Sequence, residues 1–201
     1  MRTKNELLLI TILCFWGGIL FMPCAEGNDT IFRGRVIDAD TKEPIEGTVV
    51  VAYWLKAWQT ISGEKTELKE VKEILTDKNG EWSIAGPKGQ ENDPHPYFSF
   101  FLFLSYIREP AFIVFKPGYC SFPSGFSISA CKEKLKPGGT GEIMEGKTIE
   151  LSKLPEQMNR EDILMAVPGP IMGESALEKQ RQFIKLINEG KKSLGLPEIK
   201  Y

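Results

Sequence analysis

The sequence predicts a mainly β protein, a sandwich of about seven strands followed by a short α-helical tail. Three observations carry this. Ile31–Ile37 alternates, with Phe32, Gly34 and Val36 on one side and Arg33 and Arg35 on the other, the period of a strand. Asn79-Gly80 sits between strand-like Val71–Leu75 and Glu81–Ala85, and both residues tolerate the positive φ of a tight hairpin turn. Beyond Pro155 the apolar spacing lengthens to that of a helix.

The remaining elements follow in chain order. Asp38–Pro44 is a polar turn closed by a proline. Thr48–Leu55 is rich in Val, Tyr and Trp and reads as the next strand. Lys56–Lys69 reads as a polar connection with its tip at Gly63-Glu64-Lys65, and Trp54 and Trp58 cover one end of a core or form a stacking platform. Pro87–Pro96 is a loop holding His95. Ala111–Phe115 is a strand, Lys116-Pro117-Gly118 a turn, Phe122–Ile128 a further short strand and Lys136–Gly141 a loop. Thr148–Leu151 closes the sandwich with Ile149 and Leu151 inward. Asn159 can cap a helix over Arg160–Ala166. A second helix, Ser175–Glu189, puts Leu177, Phe183, Ile184 and Ile187 on one face, with Gly190 at its C-terminal end. That face either packs on the sandwich or binds a partner.

Tyr97–Ile107 is unusually aromatic. Read as a strand, it places Phe98, Phe100, Leu102, Leu104 and Tyr106 on one apolar face. It is too short to cross a bilayer as a helix. Two roles compete: part of the core, or a patch formed by Tyr97, Phe98, Phe100, Phe101 and Phe103 that docks on a partner or membrane surface.

The strings FRGRVIDADTKEPIEGTVVVA from Phe32, TDKNGEWSI from Thr76 and FKPGY at Phe115–Tyr119 resemble the carboxypeptidase regulatory-like domain of bacterial exported proteins. The resemblance covers residues 31–152. It implies a transthyretin/prealbumin-like β-sandwich, and it implies little about activity, because such modules are attached to many unrelated proteins. The chain then divides into a signal peptide at 1–27, the sandwich domain at 28–154 and a helical extension at 155–201.

The N-terminus carries the compartment. Arg2 and Lys4 precede an uncharged run, Leu7–Met22, and Ala25 and Gly27 offer small residues at a cleavage site. The run spans only about 24 Å as a helix, short of the ~30 Å hydrocarbon core. An uncleaved anchor and a lipidated Cys24 are the rival readings, although Phe21-Met22-Pro23 departs from the usual lipoprotein signal. Export to the periplasm or medium leaves Cys120 and Cys131 as an even pair, and an oxidising compartment would join them.

Chemistry is bounded by what is scarce. The chain has one histidine. Zinc carboxypeptidase, intradiol dioxygenase and transthyretin-related hydrolase sites each need more than one, so no such metal or catalytic set assembles here. No phosphate-binding glycine loop or nucleophile-elbow motif is present. Asp38, Asp40 and Glu43 lack the EF-hand spacing and read as a solvated turn. A net charge of −2 gives no basic face for nucleic acid. The expectation is a non-enzymatic module, without cofactor, whose partner is a protein, glycan or other envelope component. The alternative is a hydrolase, acting on glycans, with an unrecognised carboxylate pair.

Protein recovered from its natural host should begin near Asn28, as read by intact-mass analysis. A species that keeps Met1, or carries lipid on Cys24, contradicts this.

Overall fold

The computed structural model describes residues 30–87, 105–123, 131, 146–155, 167–193 and 195–200. The strands are β1 (Ile31–Asp38), β2 (Val49–Thr60), β3 (Gly63–Leu75), β4 (Glu81–Ala85), β5 (Ser105–Ile107), β6 (Ala111–Phe115) and β7 (Lys147–Leu151). Two helices follow, α1 (Glu174–Glu178) and α2 (Arg181–Ser193). The signal-peptide residues, His95, the patch Tyr97–Phe103, the Lys136–Gly141 loop, the Arg160–Ala166 helix and the strand expected beyond Pro123 lie outside the described residues.

The architecture is two facing β-sheets with the helices laid on one of them. One sheet has the order β4-β1-β7, with β4 antiparallel and β7 parallel to β1. In the other, β2 is central. It pairs with β3 on one side, and on the other with β6 over Val49–Tyr53 and then β5 over Lys56–Trp58.

Between the sheets lie Phe32, Val36, Val50, Ala52, Trp54, Trp82, Phe112, Ile149 and Leu151, all buried. Trp54 is thus core, whereas Trp58 is half-buried. Aromatic rings meet in tilted and edge-on pairs, Trp82 with Phe112 at 5.5 Å and Phe32 with Phe112 at 5.8 Å, the geometries that ring quadrupoles favour. A second core forms on the far face of β2, where Val49, Val51, Val71 and Phe115 meet Ala176, Phe183 and Ile187 of the helices. The tail therefore packs on the sandwich.

Three expectations need correction. Lys56–Lys69 is not a loop: it forms the distal half of a long β2–β3 hairpin that turns at Ile61-Ser62. Apart from Lys56, its Glu and Lys residues sit on β3, an edge strand, where charge guards against pairing with other chains and hides the period of two. The register shifts between Trp54 and Leu55, a bulge that strengthens local twist. The Asn79-Gly80 turn stands where expected but joins two sheets instead of closing a hairpin, since β3 and β4 belong to different sheets. It docks on β1 through the Val36 N–H, which donates to the Gly80 carbonyl at 2.8 Å. Gly80 has φ +72°, and a Cβ there would lie 2.2 Å from the Val36 carbonyl oxygen, so only glycine fits.

The third correction concerns the tail helix, which is broken at Lys179-Gln180. Gln180 is fully buried. Its amide donates to the carbonyls of Ile171 and Ala176 and accepts from the Ile171 N–H, each at 2.9 Å, so a buried polar group is satisfied. No acidic residue occupies the first turn of α2. Glu73 of β3 supplies the missing charge, accepting the N–H groups of Gln182 and Phe183 at 2.8 Å. Gly190 lies inside α2 near Val167 and Phe115, and the glycine just past the helix end at Ser193 is Gly195, φ +66°. There the Gly195 and Leu196 N–H groups return to Lys192 and Lys191.

Gly34 is a point of the inter-sheet core with no room for a side chain. It pairs with Trp82 across the sheet, and a Cβ on it would lie 2.6 Å from the indole ring. Gly34→Ala should therefore destabilise the fold by about 1–3 kcal/mol. Urea denaturation should show a lower midpoint with an unchanged slope; an unchanged midpoint contradicts the packing described.

Candidate functional site

Beyond β6 the chain turns at Gly118 and runs beside the continuation of β7. The Cys120 N–H donates to the Ser152 carbonyl at 2.8 Å, and the Leu154 N–H to the Gly118 carbonyl at 2.9 Å. Cys120 and Cys131 are joined by a disulfide, with Cα atoms 5.8 Å apart. Both cysteines are buried and Leu154 packs on them.

This strap presents Tyr119 to Asp38, a buried carboxylate at the end of β1. One Asp38 oxygen accepts the backbone N–H groups of Asp40 at 2.8 Å and Thr41 at 3.0 Å. The other accepts the Tyr119 hydroxyl at 3.1 Å and lies 3.6 Å from the Lys153 ammonium. The Thr41 N–H bond, above all, holds the Asp38 carboxyl down to about 2, against the opposing effect of burial; Asp40, Tyr119 and Lys153 add to it. Burial, and then the bond to Asp38, pushes the Tyr119 hydroxyl up from its usual range, so it remains the donor. Of the acidic turn, Asp40 and Glu43 are exposed as expected, whereas Asp38 is buried. The Asp38 carboxylate accepts three hydrogen bonds from its own fold and pairs with one ammonium, and this arrangement organises a loop. Asp38 is not held ready for proton transfer.

A different surface is left open. The outer face of the β4-β1-β7 sheet bears a shallow groove lined by Arg33, Arg35, Asp77, Glu81, Ser83 and Thr148, bordered by Ile74 and Leu75. Arg33 lies opposite Ser83, and Arg35 between Glu81 and Thr148. Both arginines are exposed. The Arg35 Nε donates to the Asn79 carbonyl at 2.8 Å, which orients its guanidinium. Alternation along β1 had already put the two arginines on one face. What the sequence concealed was the flank, because Ile74 and Leu75 end a strand of the other sheet.

Of the residues singled out from sequence, Cys120 and Cys131 come together as a bridge. The patch Tyr97, Phe98, Phe100, Phe101 and Phe103 lies outside the described residues, but the end of that segment is β5. There Tyr106 is buried and its hydroxyl donates to Glu64 at 2.6 Å, while Arg108 pairs with the same carboxylate. Among the described residues no three His, Cys, Asp or Glu side chains converge as a metal-ligand set.

No family model and no curated protein matches the chain. Among solved structures, a 9R-lipoxygenase from Cyanothece PCC8801 is similar with 11% identity and a TM-score of 0.35, over 87% of this chain and 25% of the lipoxygenase. The chain thus spans about a quarter of that protein's length, and a likeness at this score carries no argument.

Asp38 sets an acid limit on stability. Its folded value of about 2 lies below the ordinary 3.8. Its contribution is therefore complete above about pH 4 and is lost as pH falls through 2. Asp38→Ala should cost on the order of 1–3 kcal/mol at neutral pH, since buried N–H donors lose their acceptor. Its thermal stability should also fall less steeply than wild type between pH 4 and 2. Parallel acid profiles for the two proteins would remove Asp38 from this role.

Proposed function

We propose that the chain is an exported module with a non-enzymatic binding or structural role in the cell envelope. In this reading its sandwich is of the transthyretin-like, carboxypeptidase regulatory-like kind suggested by its strand and turn motifs. The observation that carries the proposal is the Cys120–Cys131 bridge. The bridge pins the strap that carries Tyr119, and Tyr119 completes the shell around Asp38. Packing that depends on an oxidised pair suits an oxidising compartment.

Two further features support a binding or structural role. The most strongly perturbed carboxylate among the described residues is committed to holding a turn. The exposed groove offers charged side chains of both signs, Arg33 and Arg35 with Asp77 and Glu81, beside the hydroxyls of Ser83 and Thr148, groups able to hydrogen-bond a partner.

The test uses protein isolated from its host. It should fractionate with the periplasm or medium, and Cys120 and Cys131 should resist alkylation until reduced. A cytoplasmic pool with both thiols alkylated contradicts export. Double replacement of the cysteines by Ser should cost about 2.5–3 kcal/mol. Chromogenic ester and glycoside substrates should show no turnover above background. Turnover abolished by one Asp or Glu substitution would replace the binding role with a hydrolytic one.

A further inference from the structure

An Asn-Gly pair readily loses its side-chain amide, because glycine puts no side chain in the way of its own nitrogen. In this fold the pair Asn79-Gly80 joins the two sheets. We propose that Asn79 is a self-modification site gated by that turn. It stays intact while the turn is closed, and it converts to aspartate and isoaspartate when the turn opens. This is independent of the binding role proposed above.

The reaction consumes only water. The Gly80 nitrogen gives up its proton and attacks the Asn79 Cγ. The bond from Cγ to the side-chain nitrogen breaks, and that nitrogen leaves as ammonia. The cyclic succinimide then takes up one water molecule. Opening at the side-chain carbonyl gives an ordinary aspartate. Opening at the main-chain carbonyl gives isoaspartate, whose backbone runs through Cβ and Cγ.

In the closed turn the electrophile is open and the nucleophile is tied. Asn79 is exposed, and its side-chain amide has no hydrogen bond among the described residues. Gly80 is buried, and its N–H donates to the Asp77 carbonyl at 2.9 Å. The other backbone groups of the pair are engaged too. The Asn79 N–H donates to Asp77 Oδ1 at 2.9 Å, and its carbonyl accepts the Arg35 Nε at 2.8 Å. The Gly80 carbonyl accepts the Val36 N–H at 2.8 Å. To reach Cγ, the Gly80 nitrogen must leave Asp77 and lose its proton, so opening comes first. Asp77 is the latch, since its carboxylate also takes the Glu81 N–H at 2.8 Å.

The two products differ in what they do to the fold. A Cβ on Gly80 would lie 2.2 Å from the Val36 carbonyl oxygen and 3.3 Å from the Ile45 nitrogen, so the turn lies hard against β1 with no slack. Isoaspartate adds a methylene to the main chain at this point. It also makes a free carboxylate of the carbonyl that Arg35 holds. Aspartate leaves the backbone unchanged.

The experiment ages the full chain in mildly alkaline buffer and scores Asn79 by peptide mapping, with isoaspartate and aspartate separated against synthetic standards. The free peptide Thr76–Ser83 is the reference. Conversion in the folded chain should be roughly tenfold or more slower than in the peptide, by the factor that local opening imposes. Urea above the unfolding midpoint should bring the chain to the peptide's rate. Asp77→Ala and Arg35→Ala, aged well below their own melting temperatures, should each convert faster than wild type. Purified isoaspartate protein should melt below wild type, whereas Asn79→Asp should melt close to it. Equal rates in folded chain and peptide, or no acceleration in urea or by Asp77→Ala, overturns the gate. An isoaspartate form that melts with wild type overturns its structural consequence.

Discussion

β2 must be covered on both faces, and the rest of the fold answers that demand. Its first half is the apolar run Val49-Val50-Val51-Ala52, every residue of it buried. Val50, Ala52 and Trp54 face the opposite sheet. Val49 and Val51 face the other way, toward Phe183 and Ile187. An antiparallel sheet with one wet face would show alternation here, and a continuous run marks a strand enclosed on both sides. Burying Phe183, Ile184 and Ile187 gains about 1.5–3 kcal/mol per side chain, enough to hold a helix that isolated peptide chemistry would leave marginal. The tail is therefore a layer of the domain, and Glu73 fixes its register by binding the first free N–H groups of α2.

The end of the sandwich is held by polar groups, where the apolar core runs out. Asp38 gathers the turn after β1, the strap through Tyr119 and the extension of β7 through Lys153. Thr76 does the same between the sheets. Its hydroxyl donates to the Ile45 carbonyl at 2.7 Å and accepts the Thr48 N–H at 2.9 Å. Each is a short side chain satisfying backbone groups that no ladder reaches. A disulfide beside such a node reduces the ways the strap can leave it, and so the polar contacts and the covalent bond reinforce one another.

Much of this was legible in the sequence, and the exceptions have physical causes. The strands at Ile31, Val49, Glu81, Ala111 and Lys147 announced themselves by alternation or apolar density, because each buries one or both faces. The distal hairpin did not, since a charged edge strand carries the composition of a loop. The Asn79-Gly80 turn was visible as a turn, but local chemistry does not say whether the flanking strands pair with each other or cross between sheets. The helix break at Gln180 was invisible because the residue is an ordinary helix former, and its amide is satisfied mainly by Ile171, nine positions earlier. In the groove, strand period placed Arg33 and Arg35 together, while the approach of Ile74 and Leu75 depended on a tertiary crossing. The Asp38 node depended on Tyr119 and Lys153, far along the chain, and read as a plain acidic turn.

The two outer faces of the sandwich then differ for a reason that bears on function. The face of β2, β3 and β6 is apolar and would be an aggregation surface without α1 and α2. The face of β4, β1 and β7 carries Arg33, Arg35, Glu81, Ser83 and Thr148, all exposed, and needs no cover to be stable in water. A face that folding does not require to be covered is free to be shaped by recognition. Its side chains also stand on strands whose opposite faces are locked into the core through Phe32, Trp82 and Ile149. The inner face of this sheet is thus fixed by packing, while its outer face carries charges of both signs, Arg33 and Arg35 beside Glu81, on a backbone that the core holds in place.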